Sequence, residues 1–223
     1  MSANQVLLSS SFDIKDLFLT NTSYLSSASA PKRYKRGAPV YLQAEEASKI
    51  FYLAKGKVKI STYSSTGKEM TKRFVNEGEI FGELALLGSE KHGDFAFAFE
   101  NAVVYSIPVK ELEHKMQHSP SLSLFIINKL GSILIKTEKR IEALVFQSSR
   151  ERIIDFLKNL AKEKGIRIGY EILVRDWLTH QEIANLTATS RQTVTTILNE
   201  LRNDNLIYFT RSKLLIRDLA KLA

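Results

Sequence analysis

Between Leu178 and Arg202 the chain reads LTHQEIANLTATSRQTVTTILNELR, a stretch that admits two short amphipathic helices meeting at a corner and little else. Thr179 and Glu182 stand at the spacing where a hydroxyl caps a helix start while the carboxylate reaches back to the free backbone amide. This predicts a first helix from about His180 to Leu186. Thr187, Ala188 and Thr189 then break the apolar rhythm, and Ser190 is a good cap for a second helix. In that helix Val194, Ile197, Leu198 and Leu201 follow the i, i+3, i+4, i+7 spacing of one buried stripe. The opposite side carries Gln192, Thr195, Thr196 and Asn199, with Arg191 flanking at the first turn. Such a face suits base reading, since Arg forks onto guanine and Gln or Asn onto adenine. It equally suits the solvated side of an ordinary helical corner, and the pair alone does not choose. Ala188 sits in the turn: if that position needs φ above zero the methyl costs stability, and otherwise it is neutral.

A chain of 223 residues is long enough for two domains. Lys and Arg outnumber Asp and Glu by 32 to 24, and residues 149–223 hold 13 of the basic and 9 of the acidic side chains, about half the surplus of +8. That balance fits nucleic acid or an acidic membrane surface, and also a plain solubility charge. Cysteine is absent, which excludes disulfides, thiolate zinc sites, cysteine nucleophiles and cysteine-ligated iron–sulfur clusters. The start MSANQVLLSSSFDIKDLF lacks the basic opening and unbroken apolar core of a secretion signal. No run of about 18 apolar residues could span a bilayer. A cytoplasmic protein without a membrane partner is expected.

Taken in order, Ser11 to Ser29 contains Phe12, Ile14, Leu17, Phe18 and Leu25, consistent with one or two short helices packed on the segment after them. From Tyr34 to Pro108, short alternating runs are punctuated by Gly37, Gly56, Gly67, Gly78, Gly82, Gly88 and Gly93, the pattern of an all-β sandwich or barrel. A short helix is expected from Lys110 to Gln117 and a long one from about Ser121 to Phe146. In the long helix Ile127, Leu130, Leu134, Thr137, Ile141 and Leu144 alternate steps of three and four, a coiled-coil seam that would join two identical chains or pack on its own domain. A hinge falls at Gln147 to Ser149, with Ser149 expected to cap the next helix and Arg152, rather than an acid, three residues on. RERIIDFLKNLAKEKG forms that helix, ending at Gly165, and short strands are expected around Ile166 to Ile172. NLIYFT and KLLIRD around Arg211 to Lys213 suggest a two-stranded wing. Residues 1–118, 119–147 and 148–223 are thus expected as three functional segments.

This order, together with Gly78-Glu79-Ile80-Phe81-Gly82-Glu83-Leu84 and Ser190-Arg191-Gln192-Thr193-Val194, resembles the bacterial CRP/FNR regulators, the family of the cyclic-AMP receptor protein and the fumarate/nitrate reductase regulator. The resemblance covers nearly the whole chain. It implies an α+β architecture: a double-stranded β-helix (jelly-roll) domain of the cyclic-nucleotide-binding type, a long dimerisation helix and a winged helix-turn-helix. It also implies a homodimeric transcription regulator that binds palindromic double-stranded DNA and engages RNA polymerase. Arg191 takes the position of the family's guanine reader after the cap Ser190. Gln192 stands where cyclic-AMP receptors use glutamate and Thr196 where they use a second arginine, which shifts expected specificity toward adenine. Thr179, Gln181 and His180 lie where the family touches phosphates.

The resemblance also frames an effector pocket around Gly82, Glu83, Leu84, His92, Asp94, Thr137 and Glu138. Gly82 and Glu83 match the family's ribose-holding pair. The phosphate-holding Arg-Ser pair has no match, the region reading Lys91-His92-Gly93-Asp94-Phe95, and a phosphate beside Asp94 meets repulsion. Cyclic AMP is therefore disfavoured and the cofactor left unassigned. Thr137 matches the threonine that meets adenine in cyclic-AMP receptors, whereas Thr137-Glu138 resembles the nitrogen-control branch that binds 2-oxoglutarate. That branch's carboxylate-holding arginines are missing, Ile133 occupying one such place. Phe95, Phe97 and Phe99 share one side of a strand and are expected in the core, or against an apolar or haem-like ligand, for which His92 and Met70 are the nearest axial candidates. His114 and His118 have a metal-compatible spacing but no third ligand nearby. A constitutive regulator of the same fold and a haem or small-molecule sensor are the alternatives. A cupin-like enzyme would need clustered His and Glu ligands on the strands, where only His92 falls, and no nucleophile–base pair or Walker loop is seen.

Overall fold

The computed structural model describes residues 30–175 and 177–222. The helices expected between Ser11 and Ser29 lie outside the described residues. The chain divides into two compact units, one holding the chain up to Gly67 and Lys72–Ile135, the other Lys68–Thr71 and Lys136–Ala223.

The β-rich part of the chain holds eight short strands in two four-stranded sheets: β1 (Lys32–Tyr34), β8 (Ala102–Pro108), β3 (Lys49–Lys55) and β6 (Ile80–Phe81), facing β2 (Pro39–Tyr41), β7 (Phe95–Ala98), β4 (Val58–Tyr63) and β5 (Glu69–Val75), all in the first unit but for Glu69–Thr71. Neighbouring strands run antiparallel, as where Tyr52 pairs with Tyr105 or Ile60 with Ala96. The interior is filled by Tyr34, Tyr41, Phe51, Leu53, Val58, Ile60, Val75, Phe81, Ala96 and Ala98, among others. β3 is apolar on both faces because it has two duties. Phe51 and Leu53 point into the roll, while Ile50 and Tyr52 meet Leu112 of α1 (Val109–His118) and Leu122 and Ile126 of α2 (Pro120–Phe146).

The three phenylalanines of Phe95 to Phe99 alternate as expected but face outward. Ala96 and Ala98 are the buried pair, at 0% and 1% exposure, because the roll interior opposite β7 is already occupied by the large rings of Tyr41, Phe51 and Phe81. Phe95 and Phe97 instead stack on each other at 5.9 Å, with Tyr63 edge-on to Phe95 at 5.2 Å.

α2 carries two apolar stripes. Leu122 and Ile126 are buried, and Leu130, expected in the seam, packs against the same core as the next residue of that i, i+4, i+8 row. The remaining apolar seam members stay exposed on the single chain: Ile127 at 60%, Leu134 at 60%, Ile141 at 55% and Leu144 at 42%.

The second unit begins within α2 and continues into α3 (Ser149–Lys164). The cap of α3 is Ser148, one residue earlier than expected, because Glu151 then falls at the third position and completes a capping box. α4 (His180–Thr187) and α5 (Arg191–Asn203) come next among the helices. β9 (Ile166–Ile168), β10 (Glu171–Arg175), β11 (Ile207–Phe209) and β12 (Lys213–Ile216) build one four-stranded sheet in the order β11-β12-β10-β9. The wing is therefore larger than the two strands expected: β12 pairs with β10 through Leu173↔Leu215 and Val174↔Leu214. Gly165 permits this sheet to close on α3, since a Cβ there would lie 2.2 Å from the Ala161 carbonyl and 2.4 Å from Ile172.

Candidate functional site

The α4–α5 corner is built from local chemistry. Thr179 caps α4, its hydroxyl accepting from the Glu182 amide at 3.3 Å and its own amide donating to the Glu182 carboxylate at 3.0 Å. Ile183 and Ala184 are buried against the unit's core. α4 then ends in a Schellman turn: Ala188 adopts φ 52°, ψ 47°, and the Thr189 amide returns to the Ala184 carbonyl at 3.0 Å. The positive φ does exist at Ala188, and an L residue occupies it.

Two arginines hold this turn from outside α4. Arg152 donates through Nε to the Thr187 carbonyl at 2.9 Å and through Nη1 to the Gln147 carbonyl at 2.7 Å, with Nη2 3.4 Å from the Ala188 carbonyl. Arg140 donates to the Leu186 carbonyl at 2.8 Å, and burial pulls its pKa below the ordinary range. Cations at the exposed carbonyls of a helix C-terminus are favourable. This clamp is the role of Arg152, which stands three residues after Ser149 where a capping box would carry an acid.

Ser190 caps α5 by accepting from the Thr193 amide at 3.0 Å, and its oxygen is also 2.8 Å from the Thr193 hydroxyl. Val194, Ile197, Leu198 and Leu201 are all buried, which orients the helix. Arg191, Gln192 and Thr196 are exposed on the outer side, and Asn199 and Thr195 are half-buried there. Thr195 is engaged: its hydroxyl bonds the Arg191 carbonyl at 2.9 Å and lies 2.8 Å from Nδ1 of His180. Gln181 is exposed at the start of α4, its amide donating to Asn185 at 2.8 Å. The structure thus brings together on one surface the capped starts of two helices, an arginine and a set of uncharged hydrogen-bonding side chains.

In the first unit the predicted pocket residues Gly82, Glu83, His92 and Asp94 cluster around Tyr41. Gly82 is left-handed at φ 78°, and a Cβ there would meet the Phe51 ring at 2.9 Å. It delivers Glu83 into the interior at 7% exposure, where Nη2 of Arg73 lies 2.9 and 2.8 Å from its two oxygens. Asp94, at 6% exposure, accepts from Lys72 Nζ at 2.9 Å and from the Tyr41 hydroxyl at 3.1 Å. Burial, reinforced by Asp94, pushes the Tyr41 phenol far above its ordinary range. The His92 ring stacks flat on Tyr41 at 3.7 Å, and burial pulls its pKa down against the opposing charges of Asp94 and Glu45. Leu84 turns outward at 46% exposure. Thr137 and Glu138 belong to the second unit. Arg73, Lys72 and Tyr41 were missed by sequence reasoning, because pairing across strands leaves no local spacing to read.

Near the base of α2, burial pushes the Glu79 carboxyl up, but bonds from the Asn76 amide at 2.8 Å and Lys129 at 2.7 Å outweigh it and hold the pKa below the usual range. His118 Nδ1 lies 2.8 Å from the His114 carbonyl, and among the described residues no group of three or more His, Cys, Asp or Glu is placed to hold a metal ion. No described helix is long and apolar enough to cross a membrane.

A two-sheet roll with a glycine-launched glutamate, joined to a winged helix-turn-helix, defines a class of ligand-domain DNA-binding proteins. Residues 31–119 match the family model of the cyclic nucleotide-binding domain, and residues 151–223 that of the Crp-like helix-turn-helix domain. A global nitrogen regulator of Synechocystis sp. is 30% identical over 192 residues, covering 85% of each chain. The cAMP-activated global transcriptional regulator CRP of Haemophilus influenzae is 28% identical over 180 residues, 79% of each. Among solved structures, a CooA mutant from Carboxydothermus hydrogenoformans superimposes with a TM-score of 0.76 at 25% identity, over 91% of this chain and 95% of that one. A CRP-family transcriptional regulator from Thermus thermophilus gives 0.71 at 29% identity, over 86% and 94%. The chain belongs to the CRP/FNR family of DNA-binding transcription regulators.

Proposed function

We propose that the protein acts as a homodimer whose two α5 helices read the half-sites of a palindrome, with residues 1–118 as the effector-type domain, 119–147 as the dimerisation segment and 148–223 as the reading head. The observation that carries this is the outer side of α5, where Arg191, Gln192 and Thr196 are exposed on a helix whose opposite stripe is fully buried. Arg191 reads guanine, Gln192 and Asn199 favour adenine, and Thr179 and Gln181 at the start of α4 lie against phosphates. The exposed Ile127, Leu134, Ile141 and Leu144 supply the dimer seam. Two reading heads so joined address half-sites about one DNA turn apart. Engagement of RNA polymerase in the cytoplasm completes the regulator's action.

The test is the Arg191→Ala variant on a palindrome selected from a random duplex pool. It should lose about 1–3 kcal/mol of binding there and much less on random DNA. Equal loss on both makes Arg191 a phosphate contact only.

A second reading concerns the effector. The cations beside the roll's acidic groups, Arg73 and Lys72, are already paired with Glu83 and Asp94, so the phosphate of a cyclic nucleotide would compete with those carboxylates for them. This supports a regulator that does not answer to cyclic AMP, whether constitutive or gated by another small molecule.

A further inference from the structure

His180 joins three elements of the reading head. It opens α4, its Nδ1 lies 2.8 Å from the Thr195 hydroxyl in the middle of α5, and its ring packs edge-on to Phe209 of β11 with centroids 5.7 Å apart. Phe209 in turn lies under the Arg202 guanidinium from the end of α5, at 5.3 Å. A continuous row therefore runs Arg202, Phe209, His180, Thr195, and ends on the Arg191 carbonyl.

The hydroxyl of Thr195 has a single proton. Given to the Arg191 carbonyl at 2.9 Å, it leaves the oxygen as an acceptor, which requires the proton of His180 to sit on Nδ1. Burial, with the Arg191 charge beside it, holds the ring's pKa below its ordinary range, which favours the neutral ring and makes its tautomer a property that can be tested. Donation to Thr195 and edge packing on Phe209 engage the ring, and Thr195, its one proton given to the Arg191 carbonyl, has none left to donate to a base acceptor.

We propose that His180 is a positioning residue for base recognition: its Nδ1–H locks the Thr195 hydroxyl onto the first turn of α5 and ties that turn to the wing, so Thr195 aims Arg191 instead of reading a base. This rests on the reading of α5 as the recognition helix. It removes Thr195 from the donors to base edges and leaves Arg191, Gln192, Thr196 and Asn199 in that role.

The experiment uses the full chain and a palindromic duplex selected from a random pool, with binding monitored by anisotropy at several salt concentrations. His180→Ala and Thr195→Val should each weaken binding about three- to tenfold, the size of one lost hydrogen bond. The double variant should lose no more than either single, since both break the same link. His180→Asn, whose side-chain amide can donate from nearly the Nδ1 position but lacks the ring that meets Phe209, should bind more tightly than His180→Ala, and the salt slope should be unchanged throughout. Ring nitrogen-15 spectra should show the Nδ1–H tautomer in the wild type and its loss in Thr195→Val. A salt slope reduced by about one in His180→Ala makes His180 a phosphate contact and overturns the proposal. Additive losses, an Nε2–H tautomer in the wild type, or relaxed discrimination at a single base pair in Thr195→Val overturn it too. Failure of the wild type to enrich any duplex would instead sink the underlying reading of α5.

Discussion

Replacing Ala188 with glycine should help the reading head, although the same exchange four residues earlier should harm it. Ala188 sits at φ 52°, where an L residue costs about 1–2 kcal/mol relative to the right-handed region. Glycine removes that strain. It gives back about 0.4–1 kcal/mol through the greater freedom of the unfolded chain, and the loss of a half-buried methyl gives back about 0.4 kcal/mol, half of a buried methylene. The net for Ala188→Gly is a gain of about 0.5 kcal/mol. At Ala184 the geometry is helical and the methyl is 1% exposed, so Ala184→Gly loses about 1 kcal/mol of helix propensity and about 0.8 kcal/mol of burial. The two variants should differ by about 2 kcal/mol. The single tryptophan, Trp177, lies in this unit at 8% exposure, so urea unfolding monitored by its fluorescence reports the relevant transition. With a slope of about 1–3 kcal/mol per molar, the midpoints should separate by roughly 1 M. Equal destabilisation by both glycines would mean that the left-handed turn is not the strain it is taken to be.

Further expectations concern the seam, the roll and pH. Ile141→Lys should convert the dimer to a monomer in sedimentation while leaving the single chain's stability within about 0.5 kcal/mol, because Ile141 is 55% exposed before pairing; a persistent dimer would place the interface elsewhere. Cyclic AMP should leave the melting temperature unchanged, whereas a true effector at about 100 times its Kd should add about 2.7 kcal/mol; a clear shift with cyclic AMP would show that the Arg73–Glu83 and Lys72–Asp94 pairs open readily. His92 and His180 both have folded pKa values lowered by burial, so the unfolded chain takes up their protons first. Their contribution to stability should be full above about pH 6.5 and decline as pH falls below it. His92→Gln and His180→Asn together should flatten that slope in urea titrations, and an unchanged slope would assign it to other groups.

The helix corner was legible because its signals are local. The Thr179 and Ser190 caps and the Val194 to Leu201 stripe are fixed by spacing within one or two turns, and each lies where that spacing puts it. The α3 cap was misplaced by one residue because two adjacent serines offer the same hydroxyl, and only the position of Glu151 separates them. The phenylalanines of β7 show the limit of period-two reading. Alternation says that Phe95, Phe97 and Phe99 share a face but not which face is inside, and the volume already filled by Tyr41, Phe51 and Phe81 decides that.

By itself, then, the sequence determined the order of elements, the absence of cysteine chemistry, the exposed polar side of α5 and the apolar row on α2, since composition and periodicity are properties of neighbours along the chain. Only the tertiary structure decided which polar and charged groups meet. Arg73 with Glu83, Lys72 with Asp94, the Arg152 clamp on the Ala188 turn and the His180–Thr195 link all join side chains brought together by strand pairing or helix packing. Their energies depend on burial and separation in space, which residue spacing along the chain does not encode.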